Sequence, residues 1–410
     1  MAQATADTGA GLRPALALFP MLVLGLAGNM SFQALIPQFM ELWDLSSSEV
    51  GWISGVTYVS YAVASPILSA LTDRIDARRV VIAGSAASAV AGIGYALLAD
   101  GFWSAMFWRL AAGAGIAGIY MPGLKALTDR TAGPRQGRWQ SWYTAAYSVG
   151  IALSLLVTGL AAEWFGWRWA FALSGILPAL GGLVTLLAVA PATPPGMAAT
   201  GPLLDLRPVL RQPGSLAYIL GYAGHCWELF GLRTWLVAFL VFAAAAGGSE
   251  VSHATVAVIA TFIMLLGLPA SVLGNELATR HERRRMLSLV MLLSACLGAG
   301  LGYAAALPFW LVVALATGYG AVVMLDSAAL TVGTLSTAAI ERRGATIAVQ
   351  SSLGSLAALA SPLASGFVLD HFGHASLAGW GAAFVVVAGG ALFGAASVRL
   401  LPRPTCRLNA

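Results

Sequence analysis

The stretch Gly159-Leu-Ala-Ala-Glu163-Trp164-Phe165-Gly166 returns in outline 207 residues later as Gly366-Phe-Val-Leu-Asp370-His371-Phe372-Gly373. Each copy opens and closes on glycine and carries a carboxylate at its fifth position. Two more anchors keep almost the same spacing. Arg135 and Gly137 match Arg342 and Gly344 at 207 residues. Leu71-Thr-Asp73-Arg74, Arg78 and Arg79 match Leu277-Ala-Thr279-Arg280, Arg284 and Arg285 at 206. Three anchors within one residue of a single offset are hard to obtain by chance, so the chain reads as two related halves.

Hydrophobic residues make up 59% of the 410 and charged residues 10%, against about 25% charged in soluble domains. The chain lacks the polar surface that water demands, and its 47 glycines suit close helix approach in lipid. A net charge of +5 raises the question of nucleic-acid binding. The placement of the charges argues against it, because the basic residues sit in short loops between apolar runs. Cys226, Cys296 and Cys406 lie far apart, so neither a disulfide framework nor a zinc site is indicated. The N-terminus is polar through Arg13 and then apolar to Phe39. That run exceeds the ~7–15 residues of a signal-peptide core and reads as a retained first span.

A spanning helix needs ~20 apolar residues. Twelve segments qualify, at 15–38, 49–71, 80–99, 102–124, 141–163, 168–190, 215–243, 252–277, 286–306, 308–335, 344–369 and 376–400. The expected fold is therefore an all-α membrane protein of two pseudo-symmetric six-helix bundles. Residues 1–190 form the first half, 191–213 a proline-rich cytoplasmic linker, and 214–410 the second half. With the N-terminus inside, the inner loops and termini hold 19 of the 22 Lys and Arg residues, all but Arg109, Arg168 and Arg233. The bias places both termini in the cytoplasm, and a bacterial inner membrane is the expected location. Duplicated halves in a polytopic chain are typical of secondary transporters, where one half rocks against the other around a midplane site.

Three motifs then carry a resemblance. Ser69-Ala-Leu-Thr-Asp73-Arg74-Ile-Asp76-Ala-Arg78-Arg79 resembles the loop between the second and third helices of the major facilitator superfamily, with departures at Ser69, Asp76 and Ala77. Trp108-Arg109-Leu-Ala-Ala-Gly113-Ala-Gly115 resembles the fourth-helix signature, and Gly166-Trp167-Arg168-Trp169-Ala-Phe171 the entry to the sixth helix. The resemblance implies a gating role for Asp73, Arg74, Arg78 and Arg79, with Arg280 and Arg284 as the second-half copy. In that copy Thr279 replaces the aspartate, so it is expected to latch less well. The plainer reading of these arginines is inside-positive topology. For Arg109 the resemblance implies proton coupling or anion contact, the alternative being outward snorkelling.

Ionisable residues inside hydrocarbon are functional candidates by default. Segment 7 holds His225, Glu228 and Arg233. At ~1.5 Å per residue from Ser215, His225 lies about 15 Å and Glu228 about 20 Å along the helix, near the middle of a ~30 Å core. Three residues apart, they share a face and could exchange a proton, or they could simply tie the helix to a neighbour. Asp326 stands alone in segment 10 as a proton carrier, a substrate contact or an inter-helix link. Asn29 and Gln33, four apart in segment 1, suit a polar solute or a helix–helix contact. Arg233 offers positive charge to a solute or snorkels outward. Tyr120, Tyr147 and Gln350 are further lining candidates, each more readily explained by packing.

Other signals fail. Gly113-Ala-Gly115-Ile-Ala-Gly118 has dinucleotide spacing, but it lies in a span, without the strand and βαβ unit such a site needs. No phosphate-binding lysine loop and no nucleophile–base cluster occurs, so an enzyme is not expected, and no cofactor or metal. Where drug exporters of the superfamily carry Gly-Pro in the fifth helix, this chain has Ser154-Leu155. The first expectation is a proton-linked transporter of a small polar, anionic solute, with lipid, solute and protons as its partners and a monomer as its state. A proton-driven exporter of amphipathic toxic compounds is second, and a non-transporting membrane sensor third.

Overall fold

A computed structural model describes residues 12–131, 136–192, 213–339 and 343–400. The anchors Arg135 and Arg342 and most of the 191–213 linker lie outside the described residues. The elements are α1 (Leu12–Gly25), α2 (Ser31–Ala34), α3 (Ile36–Trp43), α4 (Ser47–Leu71), α5 (Ala77–Leu98), α6 (Phe102–Arg130), α7 (Gln136–Phe165) and α8 (Trp167–Ala188). They continue as α9 (Pro213–Ala246), α10 (His253–Arg280), α11 (Arg283–Tyr303), α12 (Phe309–Met324), α13 (Ser327–Thr337), α14 (Arg343–Phe372) and α15 (Leu377–Leu400). No strand occurs among the described residues.

Among the described residues, eleven spans are long and apolar enough to cross a membrane, α12 and α13 together making one, and Pro14–Gly25 adds a shorter apolar helix. Large apolar side chains such as Val63, Leu97, Leu187 and Trp310 face outward, as lipid-facing residues do. Two expected spans are not single helices. Segment 1 breaks over Leu26–Met30 and turns again at Leu35, and segment 10 breaks at Leu325–Asp326. Non-helical backbone at membrane depth persists only where protein or a water-lined cavity satisfies it, and both breaks carry polar residues.

The described helices divide into two compact units. The first holds residues 1–45, 56–199 and 252–265, the second 46–55, 200–251 and 266–410. In the first unit Gly118 faces Gly84, and Gly115 faces Ser88, at separations that leave no room for a Cβ. The glycines with dinucleotide-like spacing thus draw α6 against α5.

The repeated stretch does the same work in each unit. In the first, Gly159 lies against Ala257, Glu163 accepts the Ala254 N–H at 2.6 Å, and Gly166 has φ +86°. In the second, Gly366 lies against the Ser47 backbone, Asp370 accepts the Ser47 and Ser48 N–H groups at 2.6 and 2.9 Å, and Gly373 has φ +88°. Each carboxylate meets unpaired N–H groups at a helix start, where the helix dipole also favours negative charge. Each closing glycine takes the left-handed conformation that lets the chain turn into the next helix.

Candidate functional site

Two buried polar centres stand out, one in each unit. In the second unit, α9 runs unbroken and carries His225 and Glu228 on one face, 1% and 0% exposed. α12 stops at Met324, and the Leu325 N–H turns back to the Val322 carbonyl at 3.0 Å. Gly274 of α10 lies against the Leu325 backbone with no space for a side chain. The break projects Asp326, 2% exposed, towards α9, where its Oδ1 stands 2.6 Å from His225 Nδ1. The contact is short, yet neither atom makes an aligned hydrogen bond. Asp326 is thus not alone, as its sequence context suggests.

Glu228 takes different partners from those its spacing suggests. Its Oε1 accepts the Ser294 hydroxyl of α11 at 2.9 Å and the Tyr319 hydroxyl of α12 at 3.0 Å, while Oε2 has no partner. The site therefore gathers two carboxyls and an imidazole with fewer donors than two full carboxylates can accept. Such a group set can share, take up or release protons.

The other second-unit candidates flank this centre or stand apart. The Arg233 guanidinium lies 5.5 Å over the Phe230 ring, with Nε unpaired. Gln350 of α14 donates to Thr331 of α13 at 3.3 Å, and its Oε1 has no partner. Arg280 pairs with Glu276 one turn back at an exposed position, and Arg284 lies 5.7 Å over the Tyr218 ring.

In the first unit the buried centre is Arg109, 2% exposed, on α6. Its amino groups donate to the Gly28 carbonyl at 3.4 Å, which also accepts the Ser31 N–H at 3.4 Å, and to the Asn29 carbonyl at 3.2 Å, both in the break after α1. The side chain thus turns inward rather than snorkelling. The Met30 N–H, also in the break, donates to Ser154 of α7 at 2.9 Å, and Ser31 bonds Thr158 of α7 at 2.9 Å. Ser154, a departure from the exporter pattern, therefore supports the break. Gln33 is fully buried with both amide atoms unpartnered. Tyr120 and Tyr147 meet at 4.5 Å between ring centroids, and the Tyr143 hydroxyl donates to the Tyr120 carbonyl at 3.2 Å.

The loop after α4 holds a centre that motif matching misses. Asp73 and Arg74 are exposed. The carboxylate with partners is Asp76, which accepts from Arg130 at 2.8 and 3.0 Å, from the Ala192 N–H at 2.9 Å and from the Arg78 N–H at 3.0 Å. Partial burial opposes its charge, but the Arg130 bonds, the two backbone N–H groups and the Arg130 charge outweigh it and hold the carboxyl below the usual range. The Arg78 guanidinium reaches the Leu186 carbonyl at 2.6 Å near the end of α8, the favoured place for a cation. Arg79 is exposed.

Comparison with known proteins agrees with this architecture. The chain is 30% identical over 172 residues to an uncharacterized MFS-type transporter, YcaD, of Escherichia fergusonii, a match covering 41% of this chain and 45% of that protein. It is 28% identical over 148 residues to the membrane sensor protein UhpC of Salmonella typhimurium, covering 36% and 33%. A probable hexose phosphate transport protein of Chlamydia muridarum is 22% identical over 161 residues, covering 38% and 34%. Each match thus spans less than half of the curated relative. Among solved structures, a bacterial homolog of the human lysosomal transporter Spinster superposes with a TM-score of 0.77 at 16% identity, covering 94% of this chain and 95% of that one. A variant of the nucleoside transporter NupG gives 0.78 at 12% identity, covering 95% and 99%. Residues 18–250, more than half of the chain, match the Major Facilitator Superfamily, and the chain belongs to that superfamily.

Proposed function

We propose that this protein is a transporter that couples proton movement to passage of a small polar, anionic solute by alternating access between halves 1–190 and 214–410. The observation that carries the reading is the meeting of His225, Glu228 and Asp326 beside a break in a membrane span. Groups that hold a proton in one state and shed it in another must be titratable and shielded from bulk water; these three are of titratable type and buried, and Asp326 sits at the break between α12 and α13. Arg109 keeps its charge at any working pH, so it serves as a fixed cation while the second unit carries the protons. Similarity to a probable hexose phosphate transport protein supports an anionic solute. Both termini are assigned to the cytoplasm of a bacterial inner membrane, and a monomer suffices for transport.

Purified protein in proteoliposomes under an imposed pH gradient tests the proposal, with hexose phosphates, nucleosides and lipophilic cations as the panel. Uptake of an anionic solute that depends on the gradient and collapses in Glu228→Gln and Asp326→Asn is expected. Gradient-driven uptake that survives both substitutions would remove the proton role. Similarity to a membrane sensor protein favours one second reading, a sensor of the same solute class. Ligand-dependent thermal stabilisation without transport of any panel member would select it.

A further inference from the structure

The first unit contains a cavity of about 20 Å³ walled by Arg109, Tyr95, Ser88, Asn29, Trp108 and Ser174. That volume admits roughly one water-sized particle. Organic solutes occupy pockets of ~300 Å³ or more, so this cavity suits nothing of that size. Three wall residues are at least nine-tenths buried and carry polar atoms without partners: Arg109 Nε, the Tyr95 hydroxyl and the Ser88 hydroxyl. Each can donate a hydrogen bond, and Arg109 Nε can only donate.

Charge separates the possible occupants. A buried guanidinium normally faces a carboxylate, because an uncompensated charge in a low-dielectric interior is costly. Among the described residues no acidic side chain pairs with Arg109, and its two bonds go to neutral carbonyls. The carboxylates of this unit that have side-chain partners, Asp76, Asp129, Asp100 and Glu163, are engaged elsewhere. A water molecule would fill the space and leave the charge uncompensated. A halide fills it, accepts from several donors at once and supplies the missing negative charge.

We propose that Arg109, Tyr95 and Ser88 form an internal binding site for one chloride-sized monovalent anion, separate from the proton centre of the second unit. The site holds the break between α1 and α2 in place, because the same guanidinium binds the Gly28 and Asn29 carbonyls of that break.

The test uses the full-length protein in detergent at constant ionic strength, with sodium gluconate replaced stepwise by sodium chloride or bromide. Melting temperature should rise saturably with either halide. Tyr95→Phe keeps the ring that stacks on Phe171 at 3.8 Å, and Ser88→Ala removes only a hydroxyl. Each should raise the halide concentration needed for half the effect by about tenfold, the equivalent of one hydrogen bond to a charged group. Crystals grown in bromide should show an anomalous peak beside Arg109. Equal melting temperatures in gluconate and halide, a halide response unchanged in both variants, or a site that scatters as water in bromide crystals would each overturn the proposal. Because the readouts are binding and stability, failure of proton-driven transport would leave this result standing, and the reverse also holds.

Discussion

The two buried centres answer the same physical problem with opposite charge. In the first unit a guanidinium meets backbone carbonyls at a broken helix; in the second, carboxyls meet hydroxyls and an imidazole at a broken helix. Arginine cannot shed its charge, whereas aspartate, glutamate and histidine can. Two otherwise related helix bundles thus divide the work. One break is met by a residue of permanent charge, the other by residues of titratable type.

Replacing the permanent ion should have the largest structural effect. Arg109→Ala removes the guanidinium donors to the Gly28 and Asn29 carbonyls and leaves a larger void, costing on the order of 3 kcal/mol or more. Thermal unfolding in detergent should show the loss at every pH from 5 to 8, since no titration at this residue is involved. A loss confined to one end of that range would erase the distinction between the units.

Moving the second break comes next. Gly274→Val drives a side chain into the Leu325 backbone, and overpacking of this kind costs typically ~1–3 kcal/mol. Because Asp326 follows directly, gradient-driven transport should fall further than stability does. Equal falls would mean that the position of Asp326 is unimportant.

Asp76→Asn removes the charge that pairs with Arg130 and leaves an amide oxygen able to cap α5, for about 0.5–1.5 kcal/mol. The sign of its pH dependence follows from the lowered carboxyl value. With the folded group more acidic than the unfolded one, the contribution is fully present above the unfolded value near 3.8 and fades as pH falls through the folded one. Melting curves of wild type and Asp76→Asn should therefore differ at neutral pH and converge in strong acid. A constant difference would show that the ion pair is not its source.

Gly300→Ala should have the smallest effect and the opposite sign. Nothing lies within 4 Å of the added methyl, so helix propensity alone should stabilise α11 by up to about 1 kcal/mol. Any loss would mean that the surroundings of Gly300 are tighter than the open space seen beside it.

Much of this was legible in the sequence. The spans follow from apolar length, and the offset between Gly159 and Gly366 announces two related halves before any helix is placed. His225, Glu228 and Asp326 are conspicuous because charge in an apolar run demands a reason. The breaks are less legible. Leu24-Gly-Leu-Ala-Gly28 and Met324-Leu-Asp326 read as continuous span, since what stops each helix is the packing of distant elements such as α7 and α10. Partner choice is hidden for the same reason. Spacing pairs His225 with Glu228, but Asp326, 101 residues beyond His225, reaches the imidazole first. Asp76 escapes notice as a departure from a motif, because Arg130 and Ala192 meet it only after folding. The roles of Asn29, Gln33 and Tyr147 towards a solute stay where the sequence put them, as expectations for transport assays.

The most direct test of the division between the units is infrared difference spectroscopy of the full-length protein titrated from pH 5 to 9. Exchange of protons at the second-unit centre predicts a carboxylic-acid band that changes with pH in the wild type, persists in Tyr95→Phe, and is lost or shifted in Glu228→Gln and Asp326→Asn. A band unaltered by both carboxyl substitutions would contradict the account.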